Sequence, residues 1–218
     1  MSGPAVAGLE GRVGFAITVP DSWFEIDVNP ATRDDSIRVL VEDRVRGNQP
    51  MWDARQGIIR LLREQARTAW EAGATYCASF VQPTDDGPIT GSVVVSLVRG
   101  PVGATAEGDP AGFMLEQLKV VPKSEELEPW ASATMVQISD VGPCARSYGV
   151  EDVELDGGAG YVRTVFMQTM VPVPGVNKVF LVSCSSPVVP LTSELHDLFD
   201  AVSGTFRVVP LGEEGVSS

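Results

Sequence analysis

Short apolar runs that follow one another closely are the feature of this chain that most limits its fold. In the C-terminal third, four such runs occupy 133–139, 146–155, 161–171 and 178–185, and each is bounded by Gly, Pro or Asn. Strand-length segments separated only by turn residues typically pair with their neighbours along the chain. These runs therefore predict an antiparallel meander.

The rest of the chain adds strands and helices of recognisable period. Alternating apolar and polar residues predict strands at 13–19, 23–28, 75–81, 92–98 and 206–209. Apolar residues that recur every three or four positions predict helices at 34–46, 50–71 and 191–203. The apolar segment 113–120 fits either a helix or a strand. Together the elements predict an α+β fold, with an antiparallel sheet flanked by the helices 50–71 and 191–203.

One shift in composition bears on domain organisation. Residues 100–110 are rich in Gly, Pro and Ala, which is typical of a linker or a mobile loop. If this segment divided the chain, each half would have few strands and little helix to cover them. We therefore predict a single α+β domain over 12–210, with 100–110 as an internal loop. The two ends, 1–11 and 211–218, are predicted to be flexible.

Charge limits the partners. The chain has 16 Lys and Arg against 29 Asp and Glu, a net charge of −13. Its field repels polyanions, so nucleic acids and anionic membrane surfaces are unfavourable partners. No apolar run approaches the roughly 20 residues that cross a bilayer, and the N-terminal segment lacks the basic and apolar regions of a signal peptide. We expect no membrane insertion and a cytoplasmic location.

Cysteine and histidine usage narrows the chemistry. Cys77, Cys144 and Cys184 form no CxxC pair, and we expect reduced, mostly buried thiols. His196 is the only histidine, which excludes a multi-histidine metal centre, and we predict no cofactor and no metal. A cysteine nucleophile with His196 as its base is the least favoured alternative, since no motif lowers the pKa of either Cys144 or Cys184.

Two tryptophans are the candidate partner-binding residues. Trp52 and Trp130 each follow a break marked by proline, where an aromatic ring can be exposed to a partner. The alternative for both rings is burial in the core. We predict no catalytic, cofactor-binding or metal-binding residue.

Two local patterns have ordinary structural interpretations. The glycine cluster at 156–160 lacks the lysine of a phosphate-binding loop and precedes a strand, so it predicts a hairpin turn. On the helix 50–71, Arg60 with Glu64 and Arg67 with Glu71 have the spacing of exposed i,i+4 ion pairs, each worth about 0.2–0.5 kcal/mol.

Two segments resemble the Mog1/PsbP-like superfamily. Residues 15–23 read FAITVPDSW, a strand followed by a P-x-x-W turn. Residues 179–187 read VFLVSCSSP, and a helix follows that ends in FDAVSGTF at 199–206. The resemblance covers both ends of the chain and leaves roughly 34–128 unmatched. It implies an α/β/α sandwich with an antiparallel sheet. It also implies no shared catalytic residues, since the family mostly binds other macromolecules: a GTPase regulator, photosystem subunits, bacterial lipoproteins and chaperones of secreted effectors are members.

These observations favour a non-enzymatic protein-binding module. The absence of a credible catalytic set and the family resemblance point to a chaperone or adaptor of a bacterial secretion or envelope system, with another protein as its partner. A homodimer is one oligomeric state open to it. The main alternative is a carrier of a small molecule or lipid, with a pocket between sheet and helix.

Overall fold

The computed structural model describes residues 13–85, 87–101, 108–124, 128–155, 160–173 and 175–210. The described part contains nine strands: β1 (Val13–Ala16), β2 (Phe24–Glu25), β3 (Ala74–Gln82), β4 (Ile89–Arg99), β5 (Trp130–Ile138), β6 (Gly142–Glu154), β7 (Tyr161–Pro172), β8 (Lys178–Ser186) and β9 (Arg207–Pro210). Its α-helices are α1 (Arg33–Arg44), α2 (Gln49–Glu71), α3 (Pro110–Gln117) and α4 (Thr192–Gly204), and one 3₁₀ turn, Val189–Leu191, precedes α4.

Seven strands form one antiparallel sheet in the order β2-β3-β4-β8-β7-β6-β5. Strands β5 to β8 pair successively, which confirms the predicted meander, and β4 pairs with β8 from Ser92 opposite Ser185 to Arg99 opposite Lys178. The α+β class is confirmed. Strands on both sides of segment 100–110 lie in this one sheet.

Helices lie on both faces of the sheet, because successive side chains of a strand point to opposite faces. On β6, Arg146 hydrogen-bonds to α4, whereas the adjacent Ala145 packs in a cluster with Met114 of α3. On β3, Tyr76 joins the main core and the adjacent Cys77 contacts the cluster under α1 and α2. Helix α4 therefore covers one face, and α1, α2 and α3 lie over the other.

The first and last described strands, β1 and β9, meet on the α4 face. Strand β1 pairs with β9 in a separate two-stranded sheet, with Phe15 opposite Val208. The rings of Phe15 and Phe206 stack at 5.5 Å, and Phe180 of β8 packs against both. All three rings are fully buried, so this aromatic cluster fixes the terminal strands to the centre of the sheet.

Helices α1 and α2 form a hairpin at the β2–β3 end. Ile37 and Val41 of α1 pack with Ile59 and Ala66 of α2. Asn48 caps α2 by accepting a hydrogen bond from the backbone N–H of Met51. Helix α2 covers less of the sheet than expected, because its apolar stripe is used mainly against α1.

The two ion pairs expected on α2 are absent from the described contacts. Arg67 lies 3.7 Å from Glu64 rather than beside Glu71. Arg60 makes no hydrogen bond or ion pair with any described residue, and its side chain lines a groove between α1 and α2. The i,i+4 prediction was therefore wrong for both pairs, since Arg67 pairs with Glu64 and Arg60 pairs with no described residue.

Several predictions fall partly or wholly outside the described residues. These are the flexible ends 1–11 and 211–218, the turn at 156–159, and most of the loop 100–110. The ambiguous segment 113–120 begins within α3, whose N-cap is Asp109, with Pro110 at its first turn.

Candidate functional site: the cleft at Trp130

An open cleft of about 560 Å³ lies where the start of β5 meets the start of α4. We call it the Trp130 cleft. It is lined by Lys123, Trp130, Val189, Pro190, Thr192, Ser193, Glu194 and His196. Its walls combine aromatic, hydroxyl and charged groups, a mixture that suits a surface contacting a peptide or another protein.

Three rings from three elements pack together at the cleft, where Trp130 and His196 form the wall and Tyr148 supports them. Trp130 of β5 packs edge-to-face on Tyr148 of β6, with ring centroids 5.8 Å apart, and on His196 of α4, also at 5.8 Å. Tyr148 and His196 meet edge-to-face at 5.3 Å. The ammonium of Lys123 lies 5.5 Å from the centre of the Trp130 ring, a cation–π distance. Each ring is held by the other two, so the wall is preorganised.

The indole N–H of Trp130 is an unused donor. Its Nε1 is buried from solvent and has no hydrogen-bond partner among the described residues. An unpaired buried donor costs about 1–3 kcal/mol, and such groups in native proteins are rare. A ligand acceptor that enters the cleft can pair with this donor once the atoms that cover Nε1 move aside.

His196 is held as a neutral donor. Its Nε2 donates to the backbone carbonyl of Phe166 at 3.2 Å. Burial lowers the pKa of the imidazole below its ordinary value, and the carbonyls of Phe166 and Gly149 and the charge of Asp197 oppose this only in part. A neutral imidazole fixed by backbone is suited to packing and orientation.

Gly149 allows the strands to approach closely beneath the wall. A Cβ built at this position would lie 2.0 Å from the carbonyl oxygen of Trp130, far inside contact distance. Only glycine lets β5 lie against β6 here with Trp130 in its observed place.

The outer edge of β5 continues from the cleft. Val121 pairs with Ala131 there through two backbone hydrogen bonds, 2.8 and 2.9 Å long. Because backbone groups alternate sides along a strand, those of Ala133, Met135 and Gln137 face the same edge. Within the described residues no strand pairs with this part of β5. It is a free edge of the kind that accepts an added strand.

The two predicted tryptophans do not come together. Trp52 lies in the first turns of α2, on the hairpin at the opposite end of the sheet. Its ring is 38 % exposed and stacks with the guanidinium of Arg55 at 4.4 Å. Trp52 lines a smaller pocket of about 230 Å³ with Arg46, Gly47, Asn48 and Gln49, whereas Trp130 lines a cleft of about 560 Å³ and packs against two further rings.

Tyr148 and Lys123 were missed at the sequence level. Alternation along β6 places Tyr148 on the same face as Arg146, but no local pattern indicates that a helix end would meet it there. His196 was noticed only as the single histidine beside an apolar stripe.

The cysteines lack the surroundings of a nucleophile. Burial raises the pKa of Cys144 to about 11 and that of Cys184 to about 12. Cys144 lies four residues along β6 from Tyr148, about 13 Å in an extended strand, so it is remote from the imidazole stacked on that ring. Within the described part of the chain, no group of three or more potential metal ligands is found.

A second, apolar cavity lies between α3 and the end of the sheet. Its volume is about 250 Å³, and Met114, Val141, Val173 and Val179 are among its lining residues. Small-molecule pockets usually measure about 300–1,000 Å³. This cavity is therefore small for a carrier site.

Comparisons with known proteins include a match to a solved structure. A crystal structure of LpqN, described as involved in cell envelope biogenesis of Mycobacterium tuberculosis, matches with a TM-score of 0.46 and 13 % sequence identity. The match covers 96 % of this chain and 91 % of LpqN. No protein-family model matches the chain, and no curated protein sequence matches it. Among the described residues, no helix is both long and apolar enough to span a bilayer.

Proposed function

We propose that the protein is a non-enzymatic binding module that holds an extended segment of another protein in the Trp130 cleft. The observation that carries the proposal is the unpaired Nε1–H of Trp130 in a preorganised aromatic wall. A peptide carbonyl is the acceptor that such a donor fits, and an aromatic wall packs against the apolar part of the same segment.

The free edge of β5 supports an extended segment as the ligand. A segment that leaves the cleft alongside Val121 reaches the outward-facing backbone groups of Ala133 and Met135. Main-chain pairing at such an edge supplies affinity, while the cleft selects side chains. The chain's net charge of −13 favours encounter with a basic partner.

The alternative functions are less well supported. A carrier needs a larger apolar cavity than the one under α3, and a cysteine hydrolase needs an activated thiol beside His196. A chaperone or adaptor role in a bacterial secretion or envelope system, in keeping with the resemblance to the Mog1/PsbP-like superfamily, is the form of binding module that we propose.

Selection of random linear peptides on phage against the folded protein tests the proposal. Selected peptides are titrated against wild type, Trp130→Phe and Trp52→Phe by calorimetry, with circular dichroism to confirm folding. Trp130→Phe keeps an aromatic ring and removes the N–H. Because that donor is unpaired in the free protein, its removal breaks no hydrogen bond there, while the loss of one hydrogen bond to the peptide, about 1.4 kcal/mol, should weaken peptide binding about tenfold.

Trp52→Phe is the matched control and should bind within twofold of wild type. The single histidine gives a second readout, since the His196 ring proton resonance should move when peptide is added. Failure to select any saturable peptide refutes the binding-module proposal. Equal binding by wild type and Trp130→Phe, with the histidine resonance unmoved, refutes the cleft as the site.

A further inference from the structure

A second site candidate lies in the groove between α1 and α2, far from the Trp130 cleft. The groove has a volume of about 580 Å³. We call it the arginine groove. It is lined by Arg33, Asp34, Gln56, Ile59, Arg60, Arg63, Glu64 and Arg67. Four cations and two anions line it, in a chain whose acidic residues outnumber its basic ones 29 to 16. The groove is thus a local positive region on a negative protein.

Several guanidinium N–H groups of the arginines that line the groove are buried and have no hydrogen-bond partner among the described residues. These are Nε and Nη1 of Arg33 and Nε of Arg63. The Arg33 side chain is only 15 % exposed. A buried charged donor without an acceptor is costlier than a neutral one, so three of them in one groove indicate a missing acceptor.

Asp34 does not satisfy these donors. Its Oδ1 forms ion pairs with Nε of Arg33 at 3.5 Å and with Nε of Arg63 at 3.7 Å, but both distances are longer than the roughly 2.7–3.2 Å of an N–H···O hydrogen bond. Arg63 uses Nη2 on the backbone carbonyl of Asp34, which ties α2 to α1. One carboxylate thus lies between two guanidinium groups and hydrogen-bonds to neither.

The two remaining arginines have little structural role. Arg60 makes no hydrogen bond or ion pair with a described residue, and Arg67 has only a 3.7 Å contact with Glu64. Both side chains are exposed at the mouth of the groove. They are free to close on a ligand that the deeper Arg33 and Arg63 hold.

We propose that the arginine groove binds a small phosphate monoester through its terminal phosphate. Four arginines against two carboxylates leave an excess of two positive charges in the groove, which a phosphate, with three acceptor oxygens and about two negative charges, balances better than a single carboxylate does. Guanidinium groups pair with phosphate through two parallel hydrogen bonds. The volume of the groove is also in the range of small-molecule pockets. The overall negative charge of the chain repels polyanions and anionic membranes. We therefore expect a small ligand that carries its own phosphate group.

Calorimetric titration of the full chain tests this proposal. The probes are inorganic phosphate, glycerol 3-phosphate and acetate, with phosphatidic acid vesicles as a separate arm. We expect saturable one-to-one binding of the two phosphates, no saturable binding of acetate, and no retention on vesicles. Saturable vesicle binding would overturn the assignment to a small ligand, and equal affinity for acetate would overturn the phosphate class.

Three variants assign the site. Arg60→Gln removes a groove cation that holds no described contact, and it should lower phosphate affinity at least fivefold with unchanged melting temperature. Arg33→Lys keeps the charge and removes the fork of donors, and a similar loss is expected. Arg46→Gln is the control, since Arg46 lies beyond the end of α1, is 78 % exposed and changes net charge equally.

The outcomes are distinct. Affinity lost in Arg60→Gln and Arg33→Lys but kept in Arg46→Gln supports the groove. Equal losses in all three indicate general charge attraction and overturn the proposal, as does the absence of any saturable phosphate binding by wild type. Peptide binding at the Trp130 cleft should be unchanged in each variant, so the two proposals succeed or fail separately.

Discussion

One buried arginine joins α4 to the sheet through polar contacts. Arg146 of β6 has a side chain only 5 % exposed, and its guanidinium bonds to three groups. Nε donates to Thr169 Oγ1 at 3.0 Å, Nη2 donates to Ser203 Oγ at 2.8 Å, and Nη1 pairs with the carboxylate of Asp200. Asp200 is the only carboxylate among these partners, so it supplies the countercharge for a buried cation.

The change Asp200→Asn keeps an acceptor and removes that countercharge. Removing one partner of a fully buried pair costs about 3–5 kcal/mol, whereas an exposed pair contributes about 0–1 kcal/mol. Here the arginine is buried and the Asp200 side chain is 65 % exposed, so water replaces part of the lost charge. We expect a loss of about 2 kcal/mol in the free energy of unfolding, or a melting temperature about 4–8 °C lower for a domain of this size.

Urea unfolding followed by tryptophan fluorescence measures this loss, and a double-mutant cycle assigns it. In the Arg146→Met background the cation is absent, so Asp200→Asn should cost less than about 0.5 kcal/mol. Asp197→Asn, on an exposed position of the same helix, should also change stability by less than about 0.5 kcal/mol. If Asp200→Asn cost the same with and without Arg146, or no more than Asp197→Asn, the role given to this ion pair would be wrong.

Three further predictions concern the same face of the sheet. Gly149→Ala should destabilise the fold by about 1–3 kcal/mol in urea unfolding, because the new Cβ meets the carbonyl of Trp130; a neutral result would show that β5 can move aside. Thr205→Val should cost about 1–3 kcal/mol, because the backbone N–H of Thr18 then loses the acceptor it has at 2.8 Å, and equal melting curves would contradict this. The His196 ring proton should titrate in NMR with a pKa below 6.5 in the folded protein. As the pH falls, the unfolded chain therefore takes up a proton on His196 before the folded protein does. The free energy of unfolding should then fall as the pH drops from about 6.5 through the folded pKa. His196→Gln should remove that part of the pH dependence, and an unchanged profile would refute it.

The C-terminal segment FDAVSGTF shows which features the local sequence pattern predicts and which it does not. Its apolar spacing predicted a helix that buries Phe199 and Val202, and both are buried. Its polar residues have partners that the pattern does not indicate: Asp200 and Ser203 bind Arg146 of β6, and Thr205 accepts a hydrogen bond from the backbone of Thr18. These residues attach the helix to the sheet and to the N-terminal strand.

The arginines of α2 show the same division. Their spacing from glutamates indicated ion pairs along one helix, because i,i+4 neighbours are close on any helix surface. In the structure α1 lies alongside, and the neighbouring Arg63 donates to the carbonyl of Asp34, whereas Arg67 pairs with Glu64 and Arg60 pairs with no described residue. A second helix, absent from the local pattern, changes where these charged side chains lie.

The sequence alone determined the α+β class, the successive pairing of the C-terminal strands and the amphipathic helices, because these follow from the period at which apolar residues recur along a few residues of chain. It also indicated Trp130, without its surroundings. Tertiary structure decided the pairing of β4 with β8 and the pairing of β1 with β9. It also decided the position and lining of the Trp130 cleft and of the arginine groove. Those features join residues far apart in the chain, and their formation depends on which faces pack together, a choice that local periodicity leaves open.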